Sequence, residues 1–268
     1  VVVDGRERTL DELAEAQGEI LVGSHGIALM GRRFPLLVKV IDAGDRLSLQ
    51  VHPDDALARV LYGPDAVGKM EAWLVLEAAP GAELITGPHP GLDRAAFLAS
   101  VAAGDVDLQH CRRTPAIPGD AWLLRPGTLH AIGAGVFVYE IEQPSDLTFR
   151  ISDWGRPTGR TLHIAQALQA LRPTAEAERT GIGFQLDGGF LETPQLRLEL
   201  PDLAGPVIRE PAWRTCEVVT SIRGTLRVDG DGWSEALEPM DTLVVPAAVE
   251  RYTLRGSDGA MACVGTVP

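Results

Sequence analysis

The sequence predicts a mainly β chain of jelly-roll type, built as two successive barrels with a few short helices. Three observations predict it. Short apolar or alternating runs recur along the chain, separated by Gly, Pro and Asp. Long helical periodicities are scarce. The strand-and-turn pattern then starts afresh after Pro173.

In the first barrel, strands are expected over residues 36–41, 47–52, 72–77, 121–124, 136–141 and 147–151. Short helices are expected over 10–17, 54–61, 93–102 and 162–171. The second of these is opened by Pro53-Asp54-Asp55, which has the chemistry of a helix start. In the second barrel, strands are expected over 197–200, 217–222, 225–228, 242–245 and 251–254. Gly224 and the run Asp229-Gly230-Asp231-Gly232 punctuate them, the latter a hairpin signal. A connector over 157–175 divides the chain into 1–165 and 166–268.

Composition narrows the function classes. The 268 residues are 45% hydrophobic with 29 Gly and 19 Pro, a loop-rich globular make-up. The net charge of −13, without a basic run, argues against nucleic acid and anionic membranes, whose binding rests on clustered Lys and Arg. No apolar stretch approaches the roughly 20 residues needed to span a bilayer. Val1 to Thr9 lacks the basic-then-apolar layout of a signal peptide, so a cytoplasmic location is expected. Cys111, Cys216 and Cys263 are odd in number and widely spaced, which argues against a disulfide framework or a thiolate metal knot. Of the 24 cationic residues only Lys39 and Lys69 are lysines. Retention of Lys in so Arg-biased a chain suggests places where a compact, tunable ammonium matters.

The strongest local signal is Gly44-Asp45-Arg46-Leu47-Ser48-Leu49-Gln50-Val51-His52-Pro53. Side chains alternate faces along a strand, so Ser48, Gln50 and His52 share one face while Leu47, Leu49 and Val51 share the other. The run beginning Gly68-Lys69-Met70-Glu71-Ala72-Trp73 puts Lys69, Glu71 and Trp73 on one face. A third run leads through Pro126-Gly127-Thr128-Leu129 into a turn ending at His130. Imidazole nitrogen, carboxylate and amide oxygen are all competent ligands for zinc. A single His is more often structural, but two with a carboxylate, each ending a short strand in one half of the chain, point to a ligand set.

These strings resemble the two-part cupin metal signature, Gly-x5-His-x-His…Glu followed by Gly-x5-Pro-x-Gly-x2-His. Here it reads Gly44-x5-Gln50-x-His52, Glu71, then Gly119…Gly127-x2-His130. Gln in place of the first His is the form found in type I mannose-6-phosphate isomerases. So are Gly127-Thr128-Leu129-His130-Ala131-Ile132, Glu140-Ile141-Glu142-Gln143 and Ser145-Asp146-Leu147-Thr148-Phe149-Arg150. The resemblance runs from about Asp11 to the end and is dense between Phe34 and Leu171. It implies a double cupin with one zinc per chain, interconverting mannose 6-phosphate and fructose 6-phosphate. It departs from the pattern at Arg125, where the signature has Pro. Bacterial members carry a further N-terminal strand segment before the equivalent of Val1. The second barrel has no His where a ligand would fall, so it is expected to be structural and metal-free.

The resemblance implies Gln50, His52, Glu71 and His130 as the zinc ligands, and Arg150 as catalytic. Lys69 faces the same cavity and is expected either to bind phosphate or to join the proton relay, its pKa lowered by the adjacent metal. Glu140 is the candidate for proton transfer, with a supporting contact to the ligands as its competing role. Ser48 and Asp146 are expected substrate contacts, and Lys39 a supporting charge. Asp146, Thr148, Arg150 and Ser152 are expected to share a strand face; a salt bridge from Arg150 to Asp146 or Asp153 is the competing role of Arg150. His25, His89, His110 and His163 are expected in loops or at the surface, and Trp154 in packing. The expected partner is a small-molecule sugar phosphate, and the expected state a monomer or weak homodimer. Two rivals remain: a cupin isomerase acting on another sugar phosphate, and a non-catalytic, metal-containing sugar-binding cupin.

Overall fold

The computed structural model describes residues 1–3, 6–157, 159–181 and 190–268. The chain is mainly β and divides into two compact units, 37–185 and 1–36 together with 186–268. The sequence-based division at 165/166 draws the line elsewhere, because residues 1–36 group with the C-terminal segment.

In the 37–185 unit, the strands are β1 (Leu37–Ala43), β2 (Leu49–Val51), β3 (Glu71–Ala78), β4 (Glu83–Pro88), β5 (Cys111–Pro115), β6 (Ala121–Leu124), β7 (Ala131–Ile132), β8 (Val136–Glu142), β9 (Phe149–Ser152) and β10 (Glu178–Gly181). One antiparallel sheet has the order β10-β6-β3-β8-β1. The remaining strands form β5-β4-β7 and β9-β2. A bridge between Gln50 and His130 joins these two pieces, assisted by the Leu47 amide donating to the Ile132 carbonyl. The result is a second layer ordered β5-β4-β7-β2-β9.

The pleat explains which residues fill each face. Trp73, Val75, Trp122, Leu124, Val136 and Val138 of the first sheet pack with Leu84 and Ile132 of the second, forming a core between the layers. The opposite face of the second layer carries Leu49, Val51, Ile85, Ala131, Phe149 and Ile151. It is covered by helices α2 (Arg94–Ala103), through Phe97 and Val101, and α3 (Ile164–Ala170), through Ala167 and Ala170. Complete burial of a Leu, Ile or Phe stabilises by about 1.5–3 kcal/mol, so these two clusters hold the layers in register. Polar Ser48, Gln50 and His52 are thereby turned toward the space between the sheets. Leu47 departs from the expected alternation. It precedes the strand and packs against the core between the layers rather than with Leu49 and Val51.

Helix α1 (Asp55–Tyr62) starts where the Pro53-Asp54-Asp55 run predicts, with the Asp54 side chain accepting from the Leu57 amide. At the end of the second layer the expected strand 147–151 is observed as β9, beginning at Phe149 and paired with β2. Asp146 and Thr148 therefore lie in the preceding turn rather than on the strand face of Arg150.

The other unit has an antiparallel sheet of Phe190–Glu192, Arg197–Glu199, Met261–Thr266, Glu217–Arg223 and Thr242–Val245, in that order. A second sheet has the order Val207–Arg209, Tyr252–Gly256, Leu226–Gly230 and Trp233–Leu237. Val219, Leu226, Val228, Val245, Tyr252, Leu254 and Val264 form the core between them. The Asp229–Gly232 signal is a hairpin, in which Gly230 pairs with Trp233. The helix Leu10–Gln17 has the capping box that Thr9 and Glu12 spell out. A helix over Glu19–Met30, kinked at Gly23, has no counterpart among the sequence expectations. Its glycines obscure the periodicity, and its formation rests on tertiary contacts such as Ser24 and His25 amides donating to Trp213 and Arg214 carbonyls.

Candidate metal centre

Three strings that lie far apart in sequence interlock through hydrogen bonds. The Lys69 amide donates to the Pro53 carbonyl at 3.0 Å. The Gly68 amide donates to Asp55 Oδ1 at 2.7 Å, and Gln143 Nε2 donates to that same oxygen at 3.2 Å. The Met70 amide donates to Gln143 Oε1 at 2.9 Å, and Ser145 Oγ donates to the Val67 carbonyl at 2.8 Å. At Gly68 a Cβ would lie 2.5 Å from the Asp54 carbonyl carbon, so only glycine allows this approach. The turn that delivers His130 is fixed by the Gly127 amide donating to the His52 carbonyl at 2.9 Å, with Gly127 at φ +90°. The local strings are thus the scaffold for the side chains they carry.

His52, Glu71 and His130 converge in the interior, all three buried, on β3 and at the ends of β2 and β7. His52 Nε2 lies 3.0 Å from Glu71 Oε1, and His130 Nε2 lies 3.3 Å from Glu71 Oε2. The far nitrogens are committed: His52 Nδ1 donates to the Leu147 carbonyl and His130 Nδ1 to the Thr128 carbonyl, each at 2.9 Å. That tautomer leaves the Nε2 lone pairs pointing at a carboxylate. Among the described residues, His52 Nε2 and both oxygens of Glu71 lack a well-directed hydrogen bond, although the Lys69 ammonium lies beside Glu71 Oε1 as an ion pair. Burial lowers His130 to about 4, outweighing the Glu71 carboxylate beside it, so the imidazole is neutral at pH 7. Burial alone would raise Glu71, but His52, Lys69 and His130 hold it well below the usual carboxylate range. Two imidazoles, each with Nε2 turned inward, and an ionised carboxylate are a donor set that fits a cation. The terminal amide of Gln50 lies 3.2 Å from His130 Nε2, and a half-turn of that amide brings its oxygen to the same point.

Two further carboxylates and two ammonium groups surround this set. Lys69 Nζ is 3.0 Å from Glu71 Oε1 and 2.9 Å from Glu142 Oε2. Lys39 Nζ is 3.1 Å from Glu140 Oε2 and also pairs with Glu142 Oε1. Trp73 Nε1 donates to Glu140 Oε1 at 2.7 Å, so both oxygens of Glu140 are held. Burial tends to lower Lys69, yet Glu71, Glu142 and Glu140 outweigh it and raise the pKa. The sequence expectation for Lys69 weighed an adjacent metal, whose charge would act in the direction opposite to these three acids. Burial, then Glu140 and Glu71, raise Glu142, with Lys69 acting against them. With an ammonium group at each of its oxygens, the contacts of Glu142 fit the carboxylate form.

The chain matches the family model "Phosphomannose isomerase type I, catalytic domain" over residues 3–69. It is 38% identical over 191 residues to mannose-6-phosphate isomerase of Streptococcus mutans, covering 70% of this chain and 57% of that protein. It is 35% identical over 155 residues to mannose-6-phosphate isomerase ManA of Bacillus subtilis, covering 56% of this chain and 48% of that one. The chain is thus similar to type I phosphomannose isomerases over its N-terminal part and to curated mannose-6-phosphate isomerases over up to 191 residues. The matched stretches span about half the length of these curated relatives. Its fold is that of a solved mannose 6-phosphate isomerase from Bacillus subtilis, with a TM-score of 0.79, 24% identity, and coverage of 98% of this chain and 83% of that one. The expected double-cupin, mainly β class is borne out.

The remaining residues singled out from the sequence fall as follows. Arg150 sits opposite Gln50 in the β9–β2 ladder, so its side chain shares that face. Its Nε donates to Ser48 Oγ at 3.1 Å and its Nη1 to the Thr161 carbonyl at 3.0 Å. The aspartate partner considered for it from sequence, Asp153, pairs with Arg156 at 2.6 Å and accepts from Ser48 Oγ at 2.8 Å. Ser48 is buried, whereas Asp146 is exposed. Arg125, where the signature has Pro, is paired with Glu178 at 2.6 Å at the edge of the first sheet. Trp154 donates from Nε1 to the Leu47 carbonyl and lies under Arg46, a packing position. His163 precedes α3 and accepts from the Arg150 amide at 3.3 Å. The three cysteines are buried and free. Sequence reading passed over Glu142 and the Trp73–Glu140 bond. The signal for Glu142 was its spacing of two from Glu140, which puts both on one strand face.

Proposed function

We propose that the chain is a zinc-dependent aldose–ketose isomerase interconverting mannose 6-phosphate and fructose 6-phosphate. The observation that carries this reading is the buried His52–Glu71–His130 donor set with Lys69, Glu140 and Arg150 gathered around it. The names of the relatives support the substrate. Gln50, His52, Glu71 and His130 would hold the ion, whose choice as zinc follows from the N/O donors and the family resemblance. When bound, zinc supplies Lewis-acid polarisation and a template for the sugar oxygens.

The reaction moves a proton between C1 and C2 through an enediol, and needs a base and a stabiliser of charge on oxygen. Glu140 is the proposed proton carrier. One of its oxygens lies within 4.8 Å of one of Glu71, and its carboxylate is aimed by Trp73 and Lys39 rather than free to swing. Arg150, anchored by Ser48 and Thr161, retains guanidinium N–H groups for a developing enediolate oxygen or the phosphate. Lys69 is both a substrate contact and a proton-relay member in this account. Ser48 and Asp146 are further substrate contacts. Within the 166–268 segment, residues 190–268 form a structural barrel without a metal. Its buried Glu217 accepts from Tyr252 at 2.6 Å and pairs with Arg209, an arrangement complete within itself. The described helices include none long and apolar enough to cross a membrane, in keeping with a cytoplasmic enzyme.

The test is turnover of mannose 6-phosphate by zinc-loaded wild type, Glu140→Gln and Arg150→Ala. The proposal expects turnover in wild type and losses of at least 100-fold in both variants, in line with general acid–base and electrostatic contributions of about 10²–10⁴. Tight binding of the sugar phosphate without turnover would instead mark a sugar-binding cupin. Turnover of a different sugar phosphate alone would shift the substrate and leave the site.

A further inference from the structure

We propose that Glu142 is a positioning residue: its buried carboxylate spans the chain's only two lysines and fixes Lys69 beside the metal-ligand carboxylate. The proposal rests on the isomerase reading for what Lys69 then does. The sequence uses arginine almost everywhere a cation is wanted, yet both lysines end on this one side chain. They arrive from opposite sides. Lys39 stands on β1 and Lys69 precedes β3, and β8, which carries Glu142, lies between those two strands in the sheet.

Glu142 faces Glu71 directly across the β8–β3 ladder. Two carboxylates opposite each other in a buried ladder repel. The Lys69 ammonium sits against both, at 3.0 Å and 2.9 Å, and removes that conflict. The side chains of Glu142 and Lys69 are both buried, so water is a poor replacement for Lys69 there. A compact ammonium fits between two carboxylates in this way, whereas the planar fork of an arginine is longer and directional. Lys39 closes the arrangement by joining Glu142 to Glu140. Glu142 therefore couples the groups around the metal site to the proposed proton carrier without itself touching His52 or His130 in any described contact. Replacing its carboxylate by an amide presents an NH2 to one of the two ammonium groups, donor against donor, and one lysine must leave.

The experiment compares wild type, Glu142→Gln, Lys69→Met and the double variant, each with zinc content measured. Two readouts are taken: kcat/KM for mannose 6-phosphate, and the rate of reductive methylation of Lys69 followed by peptide mass spectrometry. The proposal expects Glu142→Gln to retain zinc, to lose at least tenfold in kcat/KM, and to label at Lys69 at least fivefold faster. It expects the double variant to be no worse than Lys69→Met alone. Glu142→Asp, which keeps the charge on a shorter arm, should recover part of both readouts and serves if the Gln variant does not fold. Multiplying losses in the double variant with unchanged Lys69 labelling would overturn the proposal. So would loss of zinc from Glu142→Gln in step with its activity. A wild type without turnover would defeat the isomerase reading, and the labelling rates would still decide the positioning claim.

Discussion

Substitution of Gly68 by alanine tests how the metal centre is held. An added Cβ would lie 2.5 Å from the carbonyl carbon of Asp54, 2.6 Å from the Asp55 nitrogen and 2.8 Å from the Pro53 oxygen. All three are backbone atoms and cannot rotate away, so the segments 53–55 and 68–70 must separate. Overpacking of this kind costs about 1–3 kcal/mol. Separation also strains the Gly68–Asp55 and Lys69–Pro53 hydrogen bonds, 2.7 Å and 3.0 Å long, each worth about 1 kcal/mol. The combined loss is about 2–4 kcal/mol, which for a chain of this size lowers Tm by roughly 5–15 °C. The segments lead directly to His52 on one side and Glu71 on the other, so zinc affinity should fall too. Differential scanning calorimetry and metal analysis on Gly68→Ala and wild type read both effects. An unchanged Tm with full zinc content would refute the argument that this close approach sets the ligand geometry.

Further outcomes follow from the same structure. Trp73→Phe keeps an aromatic ring, removes the donor to Glu140 Oε1 and leaves a small cavity in the core. It should lower turnover at least several-fold with a stability loss of about 1–3 kcal/mol, measured by urea unfolding. Glu217→Gln should destabilise by about 1–3 kcal/mol, since Arg209 keeps Glu199 but loses a charge-assisted hydrogen bond to Glu217, with zinc content unchanged as read by metal analysis. The chelated protein should lose stability on acidification. His130 is lowered to about 4 in the folded state from an ordinary 6.5, so between those values the unfolded chain binds the extra proton and stability falls as pH falls. The slope is at most about 1.4 kcal/mol per pH unit, and His130→Asn should flatten it in unfolding titrations at pH 6.5 and 5.

Much of the site was legible because strand periodicity is a strong rule. The spacing of two through Ser48, Gln50 and His52 aims them inward, and Leu49 and Val51 face the helices as that rule requires. The hairpin at Asp231-Gly232 and the helix start at Asp54 were legible for an equally local reason, since the residue types satisfy a turn or a cap by themselves. What escaped depended on long-range contact. The strands Glu83–Pro88 and Cys111–Pro115 end in proline or expose arginines, and they are strands because they pair with each other and β7. Glu71, two residues on, raises Lys69 most, but Glu142 and Glu140, about 70 residues away, add to it, and no spacing rule near Lys69 reveals them. Asp146 was assigned to a strand face one turn too early, because alternation continues on paper past the point where the backbone turns.

The central claim is a cation-dependent isomerase built on His52, Glu71 and His130. Its most direct test is a coupled assay of mannose 6-phosphate to fructose 6-phosphate on the protein as purified, after chelation, and after zinc is restored. The account predicts turnover that is abolished by chelation and recovered with one zinc per chain, and no recovery in His52→Ala. Turnover that survives complete removal of metal, or its absence in folded, zinc-loaded protein, would contradict it.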